Sequence, residues 1–251
     1  RTGNDRWLAA FACALTISAT HHPIALMGAP AYGVFVLLVR PRILRQWKLL
    51  LILAGCLLLG LMPLLYYPLR SPNLPPGFLP TDMNTWEGFV RHTTAKGLRV
   101  NFFQFGLAEQ PDRALVFWTL LRLQFSLFVI ALIGLGLVTM ARRAWRVVVL
   151  LGLFLAFHLF FTMNFYQDTM AYLLNPFSAL AIASSAGALA LYELLARSMY
   201  GAQHTLRRSA LVTCGLLLIL LPLHRTVLNL QRSISLRDFT AAEDYVAAVY
   251  D

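Results

Sequence analysis

Charge is what this chain has least of. Of its 251 residues only 13% are Asp, Glu, Lys or Arg, and 11 are acidic; an ordinary soluble domain carries about 25% charged residues. The deficit is gathered into runs. Residues 7–39, 49–69, 123–141, 147–167, 169–192 and 209–224 contain no Asp, Glu, Lys or Arg. Mostly apolar stretches of about 18 residues or more can cross a hydrocarbon core about 30 Å thick as helix, which argues against a soluble protein. The predicted fold class is therefore all-α, a polytopic membrane protein. Cysteine is scarce as well. Cys13, Cys56 and Cys214 stand alone inside apolar runs, with no CxxC pair; they read as small packing residues and leave the redox compartment open. No Walker loop, no GxGxxG after a strand, no HExxH and no GxSxG is present, so nothing supports nucleotide cradling or a serine triad. Neither an internal repeat nor a low-complexity segment occurs.

What charge there is leans strongly basic, with a net charge of +10. Its distribution argues against nucleic acid as a partner. Arg40, Arg42, Arg45 and Lys48 fall in one short gap between apolar runs, Arg142, Arg143 and Arg146 in another, and Arg197, Arg207 and Arg208 in a third. Basic residues in alternate short loops are the positive-inside signature, which sets orientation. The run 7–39 is too long for one crossing, and His21-His22-Pro23 breaks it, because proline disfavours continuing a helix. About seven membrane-embedded helices follow, at about 8–20, 23–39, 49–67, 118–140, 147–163, 169–195 and 210–224. With the three basic clusters cytoplasmic, the N-terminus lies inside. The histidine turn, the loop 68–113, the turn at Asp168 and the region 225–251, the start of an outer C-terminal part, then lie outside.

The 68–113 loop is long for a structureless connection, and such loops are usually functional. Pro72, Pro75, Pro76 and Pro80 stiffen its first part. Asn84-Thr85-Trp86-Glu87 has the form of a capping box, with Asn84 as cap and Glu87 three residues on. Trp86, Phe89, Val90 and Thr93 share a helical face, and Gly97 ends the stretch. The pattern predicts one short helix lying along the outer interface. Pro111-Asp112 signals a further start, opening a helix that runs on to about Met140.

Polar residues at membrane depth are costly, which makes each worth weighing. His21 and His22 either donate hydrogen bonds to a phosphate or sugar at an outward-facing turn, or satisfy backbone groups freed by the break before Pro23. Arg70, closing Tyr66-Tyr67-Pro68-Leu69-Arg70, is either an interface anchor or a forked donor for a lipid phosphate. Asp168, in Asn164-Phe165-Tyr166-Gln167-Asp168, is either a solvated turn residue or one that orients a hydroxyl or a metal. Asn175-Pro176 reads as a kink with a polar partner. His158 reads as a hydrogen-bonded packing residue, Arg122 as a side chain that snorkels or finds a partner, and Glu193 with Arg197 as an i, i+4 pair. These residues imply no particular cofactor and leave a divalent metal open.

Three patterns in order carry a family resemblance: Ala14-Leu15-Thr16…Thr20-His21-His22-Pro23, Tyr66-Tyr67-Pro68-Leu69-Arg70, and Asp82…Thr85-Trp86-Glu87-Gly88-Phe89…His92. Together they resemble bacterial relatives of the transmembrane-protein-260 type of protein O-mannosyltransferase, polytopic enzymes of the GT-C superfamily. The resemblance covers residues 8–100 well and the Asp168-to-Ser178 region loosely. The stretch Thr93-Thr94-Ala95-Lys96-Gly97 lacks the family's aromatic residue. The resemblance implies a membrane glycosyltransferase that moves sugar from a polyprenyl-phosphate donor on the outer face of a bacterial plasma membrane. It also implies that the chain is a segment lacking the family's first outer loop, which carries the catalytic acid. His21, His22, Arg70, Trp86 and His92 match motif positions as lining of the donor or acceptor site, and Asp168 joins them from its place at a membrane turn. The expected partners are membrane lipids and the polyprenyl-phosphate-linked sugar. The alternative is a non-catalytic membrane subunit bound to partner subunits of a larger complex. A transporter fits less well, because only one broken helix is evident.

Overall fold

The computed structural model describes residues 5–71, 83–94, 96–165, 172–201 and 203–234. Their structure is helical, with a single isolated bridge between Phe102 and Phe165. The α-helices in chain order are α1 (Asp5–His21), α2 (Ala29–Val39), α3 (Trp47–Leu61), α4 (Tyr66–Arg70), α5 (Trp86–Thr93), α6 (Gln110–Gln124), α7 (Leu127–Met163), α8 (Leu174–Ser198) and α9 (His204–Ile234). Short 3-10 turns join several of them, notably Pro23–Gly28, Pro41–Arg45 and Met62–Leu65. Two compact units are present, Arg1–Ala186 and Gly187–Asp251.

Among the described residues, three helical stretches are long and apolar enough to cross a membrane: Trp47–Arg70, Leu127–Met163 and Leu174–Ser198. Their apolar side chains face outward rather than into a core. Leu51 is 63% exposed and Leu58 68%. Surfaces of that kind are stable only against lipid or another apolar partner, as in an integral membrane protein.

In the first unit, α1 and α3 run side by side in the same direction. At one end Asp5 pairs with Arg40, whose guanidinium also donates to Gln46 at 2.6 Å. Further along, Gly60 lies against Thr16 and Cys13. Close approach is possible because Gly60 has no side chain. A Cβ there would collide with Thr16 Oγ1 and stand 2.5 Å from the Cys13 carbonyl oxygen. Helices in lipid use small residues in this way, since packing rather than water drives their association. α2 returns antiparallel to α1, with Gly28 and Tyr32 against Phe154 and its far end against Arg143–Val147.

The boundaries depart from the sequence reading at several places. No single helix covers 118–140. α6 stops at Gln124, Phe125 is extended (φ −122°, ψ 133°), and the Ser126 hydroxyl caps α7 by accepting from the Val129 N–H at 3.3 Å. The basic cluster at 142–146 is not a loop. It is helical except at Ala144, whose φ of −151° and ψ of 52° break α7 into two arms. A straight helix would separate Leu137 and Leu159 by about 33 Å. Both pack on one cluster formed by Leu121, Phe125, Ile133, Leu173, Phe177, Leu180 and Ala183, so the arms bend toward each other. Asn175-Pro176 is not a kink either. It sits in the first turn of α8, where proline's missing N–H costs nothing because that donor has no helical acceptor. The cap of α5 is Thr85, one residue later than the capping-box reading. Its hydroxyl accepts from the Gly88 N–H at 3.1 Å, while Glu87 pairs with Arg91 at 2.9 Å. α5 ends at Thr93, before Gly97. Arg122 does not find a partner for every donor: its Nη1 is buried without a hydrogen bond. In the second unit Glu193 and Arg197 do approach, at 3.9 Å.

Candidate functional site

The first unit has two chemically distinct ends. One carries Asp5, Arg40, Arg143 and Arg146. The other, where α1 finishes and the second arm of α7 meets α8, is built from aromatic rings, neutral polar groups and one guanidinium, that of Arg113.

His22 shows how the chain makes that second end. Pro23 cannot donate a backbone hydrogen bond, so α1 stops at His21 and a 3-10 turn begins. The His22 side chain caps this turn: Nδ1 accepts from the Ile24 N–H at 3.2 Å, and its backbone carbonyl accepts from Ala25 at 3.1 Å. A neutral imidazole whose Nδ1 accepts carries its proton on Nε2. The ring therefore presents a donor beyond the cap, and both roles weighed for it from sequence are compatible. Its edge meets the Tyr172 ring, with centroids 5.8 Å apart. Tyr172 belongs to a nest of rings with Phe161 and Phe165, to which Phe102 adds from the stretch before α6. His21 is exposed at the helix end.

The expected residues Arg70, Trp86 and His92 lie on α4 and α5. His92 of α5 sets its ring against Tyr67 of α4, with centroids 4.8 Å apart. That contact joins the Tyr-Tyr-Pro-Leu-Arg motif to the short helix of the loop. Arg70 is the exposed last residue of α4, and Trp86 stands 80% exposed beside Phe89. Asp168 lies outside the described residues. Among the described residues no three His, Cys, Asp or Glu side chains gather as metal ligands.

His158 is the hydrogen-bonded packing residue that the sequence suggests, but three features around it and α7 escape the sequence reading. Beneath the histidine turn lies a cavity of about 280 Å³, walled by Phe11, Ser18, Tyr32, Phe154, His158 and Asn175 among others. His158 is fully buried. Its Nδ1 lies 2.9 Å from the Phe154 carbonyl oxygen, and its Nε2 lies 3.3 Å from the Asn175 amide nitrogen. With Nδ1–H donating to the carbonyl, Nε2 accepts from Asn175, whose amide oxygen and second N–H remain for other partners. Arg113 is the second feature. Its guanidinium donates to the carbonyls of Thr162, Met163 and Phe165 at 3.0, 3.3 and 3.4 Å and stacks on Phe105. A cation suits the negative end of a helix, and desolvation draws the pKa of this one below its ordinary value. Only the position of Arg113 in the opening turn of a helix was visible beforehand. The third is Phe103, held at a left-handed φ of 54° while its N–H donates to the Asn164 carbonyl at 2.8 Å. Such a conformation costs a non-glycine residue about 1–2 kcal/mol. Arg113 and Phe103 together fasten the segment 103–113 to the end of α7.

Around the cavity the arrangement offers neutral hydrogen-bond donors and acceptors beside aromatic faces, a combination suited to a hydroxyl-bearing group, while the Arg113 guanidinium at the same end is taken up by backbone carbonyls. No family model matches this chain, and no curated protein or solved structure matches it.

Proposed function

We propose that this protein is a membrane glycosyltransferase of GT-C type, or the membrane part of one, that receives a polyprenyl-phosphate-linked sugar at the aromatic end of its first unit. One observation carries the reading. The histidine turn, the Tyr172 ring nest and the cavity lined by Ser18, Tyr32, His158 and Asn175 all gather at the end opposite Arg40, Arg143 and Arg146. In this reading the arginine end is cytoplasmic by the positive-inside rule, and the sugar site faces outward. The arms of α7 on either side of Ala144 are two crossings of 17 and 19 residues, which restores seven membrane-embedded helices. His22 Nε2–H and the Asn175 amide bind sugar hydroxyls. Arg70 binds phosphate, for which its forked donors are suited, and α5 lies at the interface with Trp86 toward lipid. Catalytic proton transfer falls to a carboxylate outside the motifs described.

The test is transfer of radiolabel from polyprenyl-phosphate sugars to acceptor in reconstituted vesicles, with His22→Ala and Arg70→Ala compared at equal insertion. Loss of transfer by about tenfold or more in each supports the reading, as expected for removal of one substrate hydrogen bond. Unchanged transfer in both removes these residues from the site. A protein that binds no donor but co-purifies in fixed ratio with other membrane subunits is an accessory subunit instead.

A further inference from the structure

At the arginine end, opposite the proposed sugar site and independent of it, the end of α2 and the break in α7 enclose a cavity of about 890 Å³. Two basic clusters that lie a hundred residues apart in sequence meet there: Arg40 from one, Arg143 and Arg146 from the other. Asp5 pairs with Arg40, and among the described residues that line the cavity the charged ones are Arg40, Arg143 and Arg146. The second arm of α7 begins at Ala144, and its first turn lines the cavity. The positive dipole end of that arm is offset by the negative ends of α2 and of the first arm of α7, which finish at the same place, so the guanidinium groups carry the positive charge. The remaining walls are apolar. Phe35 and Val39 come from α2 and Trp145 from α7, whose ring also lies 5.6 Å from the Arg146 guanidinium.

Orientation alone requires basic residues near the membrane surface. It does not require them to converge on one concavity with aromatic walls. A small soluble anion would gain from the charge and nothing from the apolar walls. A phospholipid gains from both, and basic pockets between helices on the cytoplasmic side are known places for anionic headgroups. We propose that this cavity binds an anionic phospholipid, its phosphate held by Arg143 and Arg146 and an acyl chain laid against Phe35 and Trp145.

Native mass spectrometry of the purified full chain tests this, with phosphatidylglycerol added and phosphatidylcholine as the zwitterionic control. The expected result is selective retention of phosphatidylglycerol, falling roughly thirtyfold in Arg143→Ala/Arg146→Ala for two lost phosphate contacts. Arg143→Gln/Arg146→Gln, which keeps polar bulk at the break, falls similarly, and its melting transition reports that the fold survives. Arg42→Ala/Arg45→Ala, exposed on the adjoining turn, leaves retention unchanged. Equal retention of the two lipids by the wild-type chain overturns the proposal, as does an equal loss in the Arg42/Arg45 variant. Displacement of the lipid by excess inorganic phosphate reduces the site to an ion site and overturns the lipid assignment.

Discussion

Gly60→Ala is the sharpest test of how α1 and α3 pack. The added methyl would collide with Thr16 Oγ1 and stand 2.5 Å from the Cys13 carbonyl oxygen. Thr16 is buried and its hydroxyl is bonded back to the carbonyls of Ala12 and Cys13, both at 3.1 Å. The carbonyl belongs to the helix backbone. Neither neighbour can rotate away, so the helices must separate. Overpacking of this kind costs about 1–3 kcal/mol, and two rigid neighbours put it at the upper end. Against this, alanine gains about 1 kcal/mol over glycine in helix propensity. The expected net effect is a loss of about 2 kcal/mol. Gly55 supplies the control within the same helix, because a Cβ there meets nothing within 4 Å. Gly55→Ala should be neutral or stabilising by up to about 1 kcal/mol. Reversible unfolding in mixed micelles, followed by tryptophan fluorescence, measures both. Adding Thr16→Ala should recover only part of the loss, since the Cys13 carbonyl remains in the way. Equal stability of the Gly60 and Gly55 variants would refute the close parallel packing.

Two further outcomes follow from hydrogen bonds. Thr85→Ala removes the cap of α5 and should cost about 1 kcal/mol, seen as faster amide exchange at Gly88, whereas Asn84→Ala leaves exchange there unchanged. His158→Ala leaves Asn175 without its partner and opens a void in a fully buried position. It should destabilise the unfolding transition by about 3 kcal/mol, while His158→Gln, which can still meet the amide, loses less.

The charge-free runs locate most of the apolar helices, because a charged side chain at the bilayer centre is expensive and selection against it writes the runs directly into the chain. The break before Pro23 is legible for a local reason, the missing backbone donor. Phe125-Ser126 is not. Serine sits comfortably inside an apolar helix, and only the extended conformation of Phe125 turns Ser126 into a cap. Ala144 carries no breaking signal at all, since alanine is the best helix former; tertiary packing of the two arms overrides it. The expected residues His22 and His92 are found in ring contacts, yet their aromatic partners, Tyr172 and Tyr67, come from distant parts of the chain. The His158–Asn175 bond joins residues seventeen apart on different helices. Periodicity tells which residues share a face of one helix and says nothing about which faces meet. Arg113, forty-nine residues from the Thr162 carbonyl it holds, is hidden for the same reason.

The single-residue break at Ala144 also bears on how the chain acquires its topology. In the proposed reading of α7 as two crossings, the arms have no loop between them and enter a bilayer as one hairpin whose tip carries Arg142, Arg143 and Arg146. Each guanidinium costs about 2.5–3.5 kcal/mol at the bilayer centre on the insertion scale. Drawing all three across together costs on the order of 10 kcal/mol, a penalty of about ten-million-fold. Whichever leaflet first receives that tip during synthesis keeps it. The orientation of the arms is thus remembered kinetically, long after the ribosome has gone.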